Sequence, residues 1–537
     1  MTLKPSFNLV DEAWLPCVWL NGETVLLSLQ DTLRQAHQIQ LLAGDSPPQT
    51  MALHRFLLAI LHGIFGPAEE DEWAELWQAK VFTPERLDQY WDEWRLRFDL
   101  FDPERPFYQS ATLYLESNWV SINRLTHDLN AAYPLFNHSE TGMKDYLTPL
   151  EAARALITAQ NFSLCGTSGA FFPQKSPRDK KVQGMFVDGS IARAINILVQ
   201  GDTLFETLML NLVQYPLSDD EIVHFDDDAP TWELADPASP DRHPLMGYLD
   251  YLTWQNRRIL LQPEVNAHGQ IIVRHMRWEP ANRIEAAPRD PMQHYFANKK
   301  QEYQPLYFSE DKGLWRDSGA LFSLHQRNEA IAFHKPPATF RWLQNLTSST
   351  GGCLEKSKRY RCLALGMSSK PGQATVYFYR HDSMPLPLAY LQEPTLVNRL
   401  KDALEHTEKV FATLRFAVQM MGMYLRVPDA EKKSWKELNR LTKKEINEWM
   451  AHTGMERQYW ATLEIPFQTF LVELTQQPPE SLLLEWVERL QSTARSAYEQ
   501  AAQCVSTDGR SLKAIVRGRG YLNYHLSQLI PKEEVTG

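Results

Sequence analysis

The chain has 537 residues, of which 43% are hydrophobic and 23% charged, and its formal net charge is −11 at pH 7. A chain of this length can bury a large core, and ordinary domain sizes predict about two to four folded units. The acidic balance excludes a protein that coats nucleic acid over its whole surface, because phosphate contacts need concentrated lysine and arginine. Any nucleic-acid contact must therefore be local.

The cysteines and the apolar runs bear on the cellular compartment. The five cysteines are scattered and form no CxxC pair of the kind that holds zinc or an iron–sulfur cluster. The apolar runs, such as Phe56 to Leu61, are far too short to cross a bilayer of about 30 Å, and the first residues have no apolar signal core. We therefore expect a cytoplasmic protein that is neither secreted nor inserted into a membrane.

Two apolar runs near the N-terminus predict a β-hairpin. Ala13 to Leu20 and Thr24 to Leu27 flank Asn21-Gly22, and this dipeptide tolerates the positive φ angles of a tight type I′ turn. The hydrophobic residues from Leu53 to Ile64 then recur at helical spacing, and Gly66-Pro67 ends the pattern. We expect an amphipathic helix there that covers the hairpin.

The region from Trp119 to Gly189 predicts long irregular segments around a single helix. That helix spans Pro149 to Gln160, and the loops on either side span Asn137 to Lys144 and Gly166 to Gly184. Loops of this length in a compact domain are usually functional or disordered. A second helix is predicted from about Asp202 to Val213.

Residues 216–242 are acidic and contain prolines, which favours an exposed insertion. Short runs rich in β-branched and aromatic residues follow, and we predict strands at three of them. These runs are Ile271 to Val273, Leu306 to Phe308 and Ala374 to Tyr379.

The pattern changes after Pro394. Hydrophobic residues from Leu396 to Leu425 keep a 3.6-residue period, with Thr395 as the expected N-cap and Pro428 as the stop. Three further helical segments span Ser434 to Met450, Glu456 to Gln476 and Pro479 to Cys504. Four antiparallel helices with short connections form a bundle. We therefore predict an α+β fold: a large mixed α/β N-terminal domain with long loops at 1–393, followed by a C-terminal antiparallel four-helix bundle at 394–537.

A search for catalytic motifs finds no phosphate loop, HExxH, GxSxG or strand-to-helix GxGxxG. His381-Asp382 is compatible with a metal-dependent hydrolase, but such a site needs further ligands, so we favour a local hydrogen-bonded pair. Cys165 beside Gly166 is compatible with a nucleophile. No paired histidine can be named for it, so a buried or loop thiol is favoured.

The segment Ser368 to Gln373, which we place between two strands, combines residues that differ from those of an ordinary turn. A proline and a glycine set a tight turn, Lys370 carries a charge that attracts phosphate, and Gln373 offers a donor and an acceptor. On this pattern alone, a plain surface hairpin is the better interpretation. The same holds for Gly166 to Ala170, where small residues permit close approach of a ligand but also form any flexible loop.

Several separated segments resemble one known family, and they occur in its order. Phe7 to Pro16 is similar to the family's start, and Arg105 to Gln109 is similar to a second patch. Leu365 to Ala374, followed by Arg380 to Asp382, resembles its glutamine-wedge hairpin. The family is CasA, the large subunit of Cascade, the type I-E CRISPR surveillance complex. The resemblance covers nearly the whole chain.

The resemblance implies a non-catalytic subunit that recognises the protospacer-adjacent motif (PAM) from the minor groove of duplex DNA and starts strand separation and R-loop formation. The residues that would contact DNA are Gln373, Gly372, Lys370, Gly166, Thr167, Ser168, Gly169, Arg274 and Arg277. Gln373 would be the wedge beneath the motif, and the glycine-containing stretch would lay its backbone along the groove. One of the two arginines would replace the family's lysine finger, with a planar fork in place of a point charge.

The resemblance also implies partners. Leu135, Phe136 and Asn137 lie at the place of a loop that grips the 5′ end of the guide RNA. The chain would bind the backbone, small and 5′-end subunits of Cascade, the guide RNA, the target duplex with its displaced strand, and a helicase–nuclease or another nuclease. The basic residues from Arg510 to Arg519 could meet the displaced strand.

The resemblance implies neither a cofactor nor a metal for this chain, because the paired cysteines of some relatives are missing between Cys165 and Cys353. Two alternatives stay open. One is the large subunit of another type I CRISPR subtype. The other is a metal-dependent nucleic-acid hydrolase that uses His381 and Asp382.

Overall fold

The structure, a computed structural model, describes residues 4–115, 118–126, 145–167, 185–216, 222, 224–235, 237, 244–281, 284, 288–324, 333–348, 352–370 and 372–529. These residues form two compact units. The first lies within Met1–Ser309, Gln326–Glu355 and Tyr360–Ser383, and the second within Glu310–His325, Lys356–Arg359 and Met384–Gly537.

Helices and strands alternate in the first part of the chain, and helices dominate after Pro387. The helices are α1 Leu29–Arg34, α2 Pro47–Ile64, α3 Glu70–Ala79, α4 Pro84–Trp94, α5 Pro149–Phe162, α6 Leu204–Asn211, α7 Tyr248–Leu252, α8 Ser318–Leu321, α9 Ala338–Leu346, α10 Ala389–Gln392, α11 Pro394–Arg426, α12 Arg440–His452, α13 Met455–Glu473, α14 Pro479–Gln503 and α15 Gly509–Ser527. The strands are β1 Leu15–Trp19, β2 Thr24–Leu27, β3 Ile39–Leu42, β4 Val120–Ser121, β5 Gly166–Thr167, β6 Met185–Phe186, β7 Asn196–Gln200, β8 Arg257–Val265, β9 Ile271–Pro280, β10 Tyr295–Ala297, β11 Tyr303–Pro305, β12 His334–Lys335, β13 Arg359–Ser368 and β14 Phe378–Pro387.

The strands form small sheets, with orders β2-β1-β3, β4-β9-β8, β11-β10-β12 and β14-β13-β7, together with the β5-β6 pair. The predicted N-terminal hairpin is confirmed, since β1 pairs antiparallel with β2 in the register Leu15↔Leu27. Gly22 sits in its turn with φ 88°, but Asn21 does not have a positive φ, so the predicted type I′ turn is wrong. The third strand of that sheet, β3, pairs with the other edge of β1 and has no clear alternating pattern of its own.

The predicted helix at 53–64 is confirmed as α2, but the expectation that it is amphipathic is wrong. Nearly every residue of α2 is buried, including its polar and charged members. Arg55 has no exposed side-chain surface and donates to the Asp290 carboxylate at 2.6 Å, which satisfies a charge inside the core. Phe56 packs against Trp14, beside the first strand, and against Trp232. Helix α2 is therefore a central core helix, which explains its polar residues on otherwise apolar faces.

The acidic stretch 216–242 is not simply an exposed insertion. Trp232 is 4% exposed and its ring lies 5.5 Å from those of Phe56 and Phe98. Thr231 is fully buried beside it. The local composition is acidic, yet one indole ring anchors the segment to a distant aromatic cluster, and burial of such a ring outweighs the average polarity of its neighbours.

The other predicted elements of the first unit differ mainly at their ends. Helix α5 begins with a Thr148–Glu151 capping box and ends at Phe162, two residues beyond the prediction. The strand predicted at 271–273 extends to Pro280 as β9. Residues 306–308 follow β11 outside any named strand, with an isolated bridge at Tyr307, so the strand predicted there is wrong. The strand predicted at 374–379 begins at Phe378 as β14, so its start was predicted four residues too early.

The second unit contains the predicted helical bundle, and its four predicted helices are present as α11 to α14. The first begins at Pro394 with Glu393 at the cap, so Thr395 is not the N-cap; proline is well suited to a first helical position. Helix α12 begins at Arg440, because Ser434 and Glu437 instead cap a short 3-10 turn.

A fifth helix, α15, packs against α11 and was not counted in the predicted bundle. Its glycines lower intrinsic helix propensity. One of them, Gly518, is required by packing, since a Cβ there would lie 2.8 Å from the main-chain oxygen of Ala417. Close helix contact thus stabilises a segment that local propensity disfavours. Over the residues that the structure describes, no helix is long and apolar enough to span a membrane.

Candidate nucleic-acid interface

Residues 369–377 connect β13 to β14, and we call them the β13–β14 loop. Lys370 and Gln373 thus lie between two strands, as predicted, although the loop is longer than expected. The main-chain N–H of Gln373 donates to the main-chain carbonyl of Lys370 at 3.1 Å, which closes a tight turn. Gly372 lies in this turn with φ 76°, a conformation that costs a residue with a side chain about 1–2 kcal/mol. Pro371 lies outside the described residues. The turn therefore presents Gln373 at an exposed position on a closed backbone.

Tyr377 orients the polar side chains of this loop. Its hydroxyl donates to Oε1 of Gln373 at 2.6 Å, and the ammonium group of Lys370 lies 5.4 Å from its ring centroid. The hydrogen bond uses the amide oxygen of the exposed Gln373, whose NH₂ group is a donor for another acceptor. Tyr377 was predicted only as a strand residue, and nothing in its local pattern indicated this contact.

Arg193 fixes the β13–β14 loop through several hydrogen bonds. One terminal nitrogen, Nη1, donates to Ser369 Oγ at 2.7 Å and to the carbonyl of Lys370. The other, Nη2, donates to the carbonyl of Gln373 at 2.9 Å. These bonds reach residues on both sides of the Gly372 turn, so a single guanidinium holds the loop at three points.

The same guanidinium holds the segment that precedes Gly166. Nε and Nη2 of Arg193 donate to the two carboxylate oxygens of Asp188 at 2.7 and 2.8 Å. Asp188 in turn accepts a hydrogen bond from the main-chain N–H of Cys165 at 2.7 Å, and Cys165 Sγ lies 3.4 Å from Nη2. Burial lowers the pKa of Arg193, but the hydrogen bonds and charge of Asp188 raise it by more, so the net pKa lies above its ordinary value. The Arg193 guanidinium therefore stays charged.

Gly166 stands in β5, directly after this contact, and pairs with Phe186 of β6. Among the residues that the structure describes, no atom lies within 4 Å of a Cβ built on Gly166, so their packing does not require a glycine there. Phe186 packs on Trp278 of β9 at 5.5 Å and under the Arg257 guanidinium at 4.7 Å. Ser168 and Gly169 lie outside the described residues, as do Leu135, Phe136 and Asn137; of Thr167 only the backbone is described.

The two candidate arginines lie on β9 in different surroundings. Arg274 donates to Asp145 at 3.1 Å and to Glu264 at 3.2 Å, so two carboxylates neutralise its charge. Arg277 donates to the carbonyl of Leu113 and stacks 4.5 Å from the ring of Trp119. Both arginines are thus already bound within the chain, and a ligand would have to compete with these contacts.

The residues proposed for hydrolysis do not form a joint site. His381 and Asp382 are neighbours on β14, and consecutive strand residues point to opposite faces. Asp382 accepts from Arg380 Nε at 2.8 Å. Within the described ranges, no group of three or more His, Cys, Asp or Glu residues could hold a metal ion. Cys165 lies against an arginine, which is compatible with the loop thiol favoured from the sequence.

A sequence model of the family described as CRISPR-associated protein Cse1 matches residues 8–497. The chain belongs to the Cse1 family. This family is also called CasA, so the resemblance predicted from the sequence is confirmed, and the chain takes its place among the large subunits of type I-E CRISPR surveillance complexes.

Individual relatives agree with this membership over almost their full length. A CasA/Cse1 protein of Thermus thermophilus is 30% identical over 536 residues, which cover 97% of this chain and 98% of the relative. The crystal structure of Thermus thermophilus CasA covers 98% of this chain and 100% of its own, with TM-score 0.77 and 28% identity. The Cse1 structure from Acidimicrobium ferrooxidans covers 98% of both chains, with TM-score 0.80 and 25% identity.

A chain of a structure titled CRISPR RNA-guided surveillance complex shares the fold at 21% identity, with TM-score 0.73 over 97% of this chain and 100% of that one. The predicted fold class, a mixed domain followed by a helical bundle, is confirmed for this Cse1 family member. The predicted DNA-contacting and RNA-contacting residues stay predictions. Among them, the structure joins the β13–β14 loop to the Cys165–Gly166 segment through Arg193 and Asp188, two residues that the sequence did not point to.

Proposed function

We propose that this chain, within a type I-E Cascade assembly, recognises the PAM in duplex DNA from the minor groove and starts strand separation, without any bond chemistry of its own. Its partners are the other Cascade subunits, the guide RNA, the target duplex with its displaced strand, and a nuclease that it helps to recruit. The observation that carries the proposal is the β13–β14 loop. It presents an exposed glutamine whose backbone and amide oxygen are both held in place.

A side-chain amide that is already held in one orientation, like that of Gln373, is suited to insertion between base pairs. Insertion between base steps costs a few kcal/mol of unstacking, and a side chain that is already oriented loses less entropy when it inserts. Exchange of a DNA duplex for an RNA–DNA hybrid is nearly balanced in free energy, so the protein needs only to nucleate opening and let guide pairing read the sequence. Gln373 would supply the nucleation, and Lys370, beside it, would attract the phosphate backbone.

Recognition of the groove would use the backbone around Gly166. No atom of the described part of the chain fills the space where a Cβ of residue 166 would lie, so a ligand can approach the main chain closely there. Minor-groove edges distinguish A·T from G·C pairs poorly, so we expect tolerance of several motifs. Arg277 or Arg274 would add positive charge from β9.

The displaced strand would meet the second unit at the basic residues of α15. Three of them already have partners: Lys513 pairs with Glu431, Arg519 pairs with Glu499 at 2.6 Å, and Arg510 Nε donates to the carbonyl of Tyr424 at 2.9 Å. Acidic neighbours weaken attraction of phosphate, so any contact of the displaced strand with α15 would be salt-sensitive and modest.

The test is Gln373→Ala in a reconstituted complex with guide RNA. Opening of the first target base pairs is followed with a fluorescent base analogue, and binding of a PAM duplex that cannot pair with the guide is measured separately. We expect opening to slow by about tenfold or more, since a lost barrier reduction of roughly 1.4 kcal/mol is tenfold in rate.

The matched control is Gln270→Ala. Gln270 is also exposed, also follows a positive-φ glycine, and also accepts a hydrogen bond at Oε1. It should open DNA at the parent rate. Equal rates for the Gln373 variant and the parent complex would refute the wedge assignment, whereas loss of guide RNA from either complex would point to failed assembly.

A further inference from the structure

We propose that Arg193, held by Asp188, is a positioning residue that fixes the β13–β14 loop relative to the Cys165–Gly166 segment, so that groove reading and strand opening act as one unit. This inference rests on the proposed function. It concerns a residue that contacts no DNA itself and acts through Gln373 and Gly166.

The donor geometry of the guanidinium supports this assignment. Nε and Nη2 grip the two oxygens of Asp188, while Nη1 and Nη2 reach the carbonyls of Lys370 and Gln373. A planar fork can satisfy both sides at once, and charge-assisted bonds of this kind are the stronger class. A lysine side chain has a single nitrogen and cannot reach both Asp188 and the loop carbonyls.

The backbone that carries Arg193 is itself held by close packing on both sides. Toward the N-terminus, a Cβ on Gly189 would lie 2.2 Å from the carbonyl oxygen of Asn161 in α5. Toward the C-terminus, Nδ2 of Asn196 donates to the carbonyls of Ala194 at 3.1 Å and Leu365 at 3.2 Å. Arg193 thus extends from a fixed point of the scaffold toward two surface segments.

A fully buried arginine–aspartate ion pair elsewhere in the first unit serves as a comparison for a core contact. Arg55 and Asp290 have no exposed side-chain surface, and removal of either would leave a buried charge. The side chains of Arg193 and Asp188 are 8% and 36% exposed, and their partners belong to the β13–β14 loop and to Cys165, directly before β5. Truncation of Arg193 should therefore release the loop without unfolding the chain.

Direct binding of phosphate by Arg193 is disfavoured by the same contacts. Its side chain is 8% exposed, and Asp188 already neutralises its charge through two bonds. An effect of Arg193 on DNA must then pass through the segments it holds.

The experiment uses the reconstituted complex with Arg193→Ala, Arg193→Lys and Asp188→Asn, each also combined with Gln373→Ala. We expect Arg193→Ala to slow opening by between about tenfold and about a hundredfold, the range in which small misplacements of an acting group fall. Arg193→Lys should resemble Arg193→Ala, because it keeps the charge but not the fork. Asp188→Asn should show a smaller loss in the same direction.

Two readouts separate positioning from a general structural defect. On a target with a pre-melted bubble beside the PAM, the Arg193 variants should regain the parent rate of hybrid formation, which a misfolded chain would not do. In the Gln373→Ala background, Arg193→Ala should slow opening little further, because residues that act as a unit are not additive.

The control is Arg380→Ala on the same hairpin. Arg380 is also partly buried, pairs with an aspartate, and donates to the carbonyl of Ser309, yet the structure places these partners outside the β13–β14 loop. It should open DNA at the parent rate.

The outcomes separate the two proposals. If Gln373→Ala slows opening but Arg193→Ala does not, the positioning role is refuted and the wedge stands. If the two losses are fully additive, or if Arg193→Lys behaves as the parent does, Arg193 acts by another route and the inference is overturned. If Gln373→Ala has no effect, the proposed function itself fails.

Discussion

The β8–β9 turn, residues 266–270, and the β13–β14 loop use the same local chemistry. Each has a glycine with positive φ, Gly269 at 77° and Gly372 at 76°, and each glycine is followed by an exposed glutamine. In each, the amide oxygen of that glutamine accepts a hydrogen bond, from Asn266 at 3.1 Å or from Tyr377 at 2.6 Å.

The two differ in what holds them. The β8–β9 turn is closed by its own residues, since Oδ1 of Asn266 accepts from the main-chain N–H groups of His268 and Gln270. The β13–β14 loop is also held by Arg193, from a segment far away in the chain. A turn of the first kind needs only its strands. A turn of the second kind is also fixed relative to a second surface segment. A side chain that acts on a ligand bound beside that segment requires such a fixed position.

The sharpest way to break this comparison is to strain both turns equally. Gly372→Ala and Gly269→Ala should each cost about 1–2 kcal/mol of stability, because both alanines would have positive φ and neither would meet an atom of the described residues within 4 Å. Thermal melts of the two variants should nearly coincide. Opening of PAM-bearing DNA should slow by about tenfold for Gly372→Ala only. Equal opening rates would show that the two turns do not differ in function.

The next largest effect is expected at the other segment that Arg193 holds. Gly166→Ala adds a methyl group that meets no atom of the described residues within 4 Å, so stability should change by less than about 0.5 kcal/mol. Affinity for a PAM duplex should nevertheless fall by about fivefold, because the methyl group would separate the backbone from the groove. Gly520→Ala, also in open space, is the control and should bind as the parent does. Unchanged affinity for Gly166→Ala would remove this strand from the interface.

A smaller effect should follow from the loss of one hydroxyl. Tyr377→Phe keeps the ring beside Lys370 and removes only the bond to Gln373, a contribution of about 0.5–1.5 kcal/mol. Opening should slow by about threefold, measured with the same fluorescent base analogue, while PAM affinity stays the same. Asn266→Ala removes the matching donor of the β8–β9 turn and should leave opening unchanged. An effect of equal size in both variants would mean that orientation of Gln373 is irrelevant.

The smallest effect is expected at Arg274. Its two carboxylate partners offset its charge, so Arg274→Ala should lower PAM affinity by less than about twofold and hardly alter the salt dependence of binding. A steep loss of salt dependence would instead identify Arg274 as the replacement for the family's lysine finger, and the comparable measurement on Arg277→Ala then decides between them.

Much of the fold could be predicted because it depends on neighbouring residues. The β1–β2 hairpin follows from Asn21-Gly22 between apolar runs, α5 was predicted from its proline start, and α11 was predicted from its periodic hydrophobic residues. Where prediction failed, distant contacts overrode local pattern. Trp232 lies in the core despite its acidic surroundings, and α15 is helical despite its glycines because Gly518 allows close packing on α11.

The sequence by itself determined the family, the mixed fold with its helical bundle, and the position of an exposed glutamine in a tight turn between strands. These properties reside in short segments or in the order of such segments. Only the tertiary structure decided how that turn is held. The bonds from Arg193 to Lys370 and Gln373 link residues 177 and 180 positions apart, and no periodicity or turn chemistry reports on a pair so distant. The residues of the β13–β14 loop made it a candidate in the sequence. Arg193, which nothing in the sequence distinguishes, holds that loop in position.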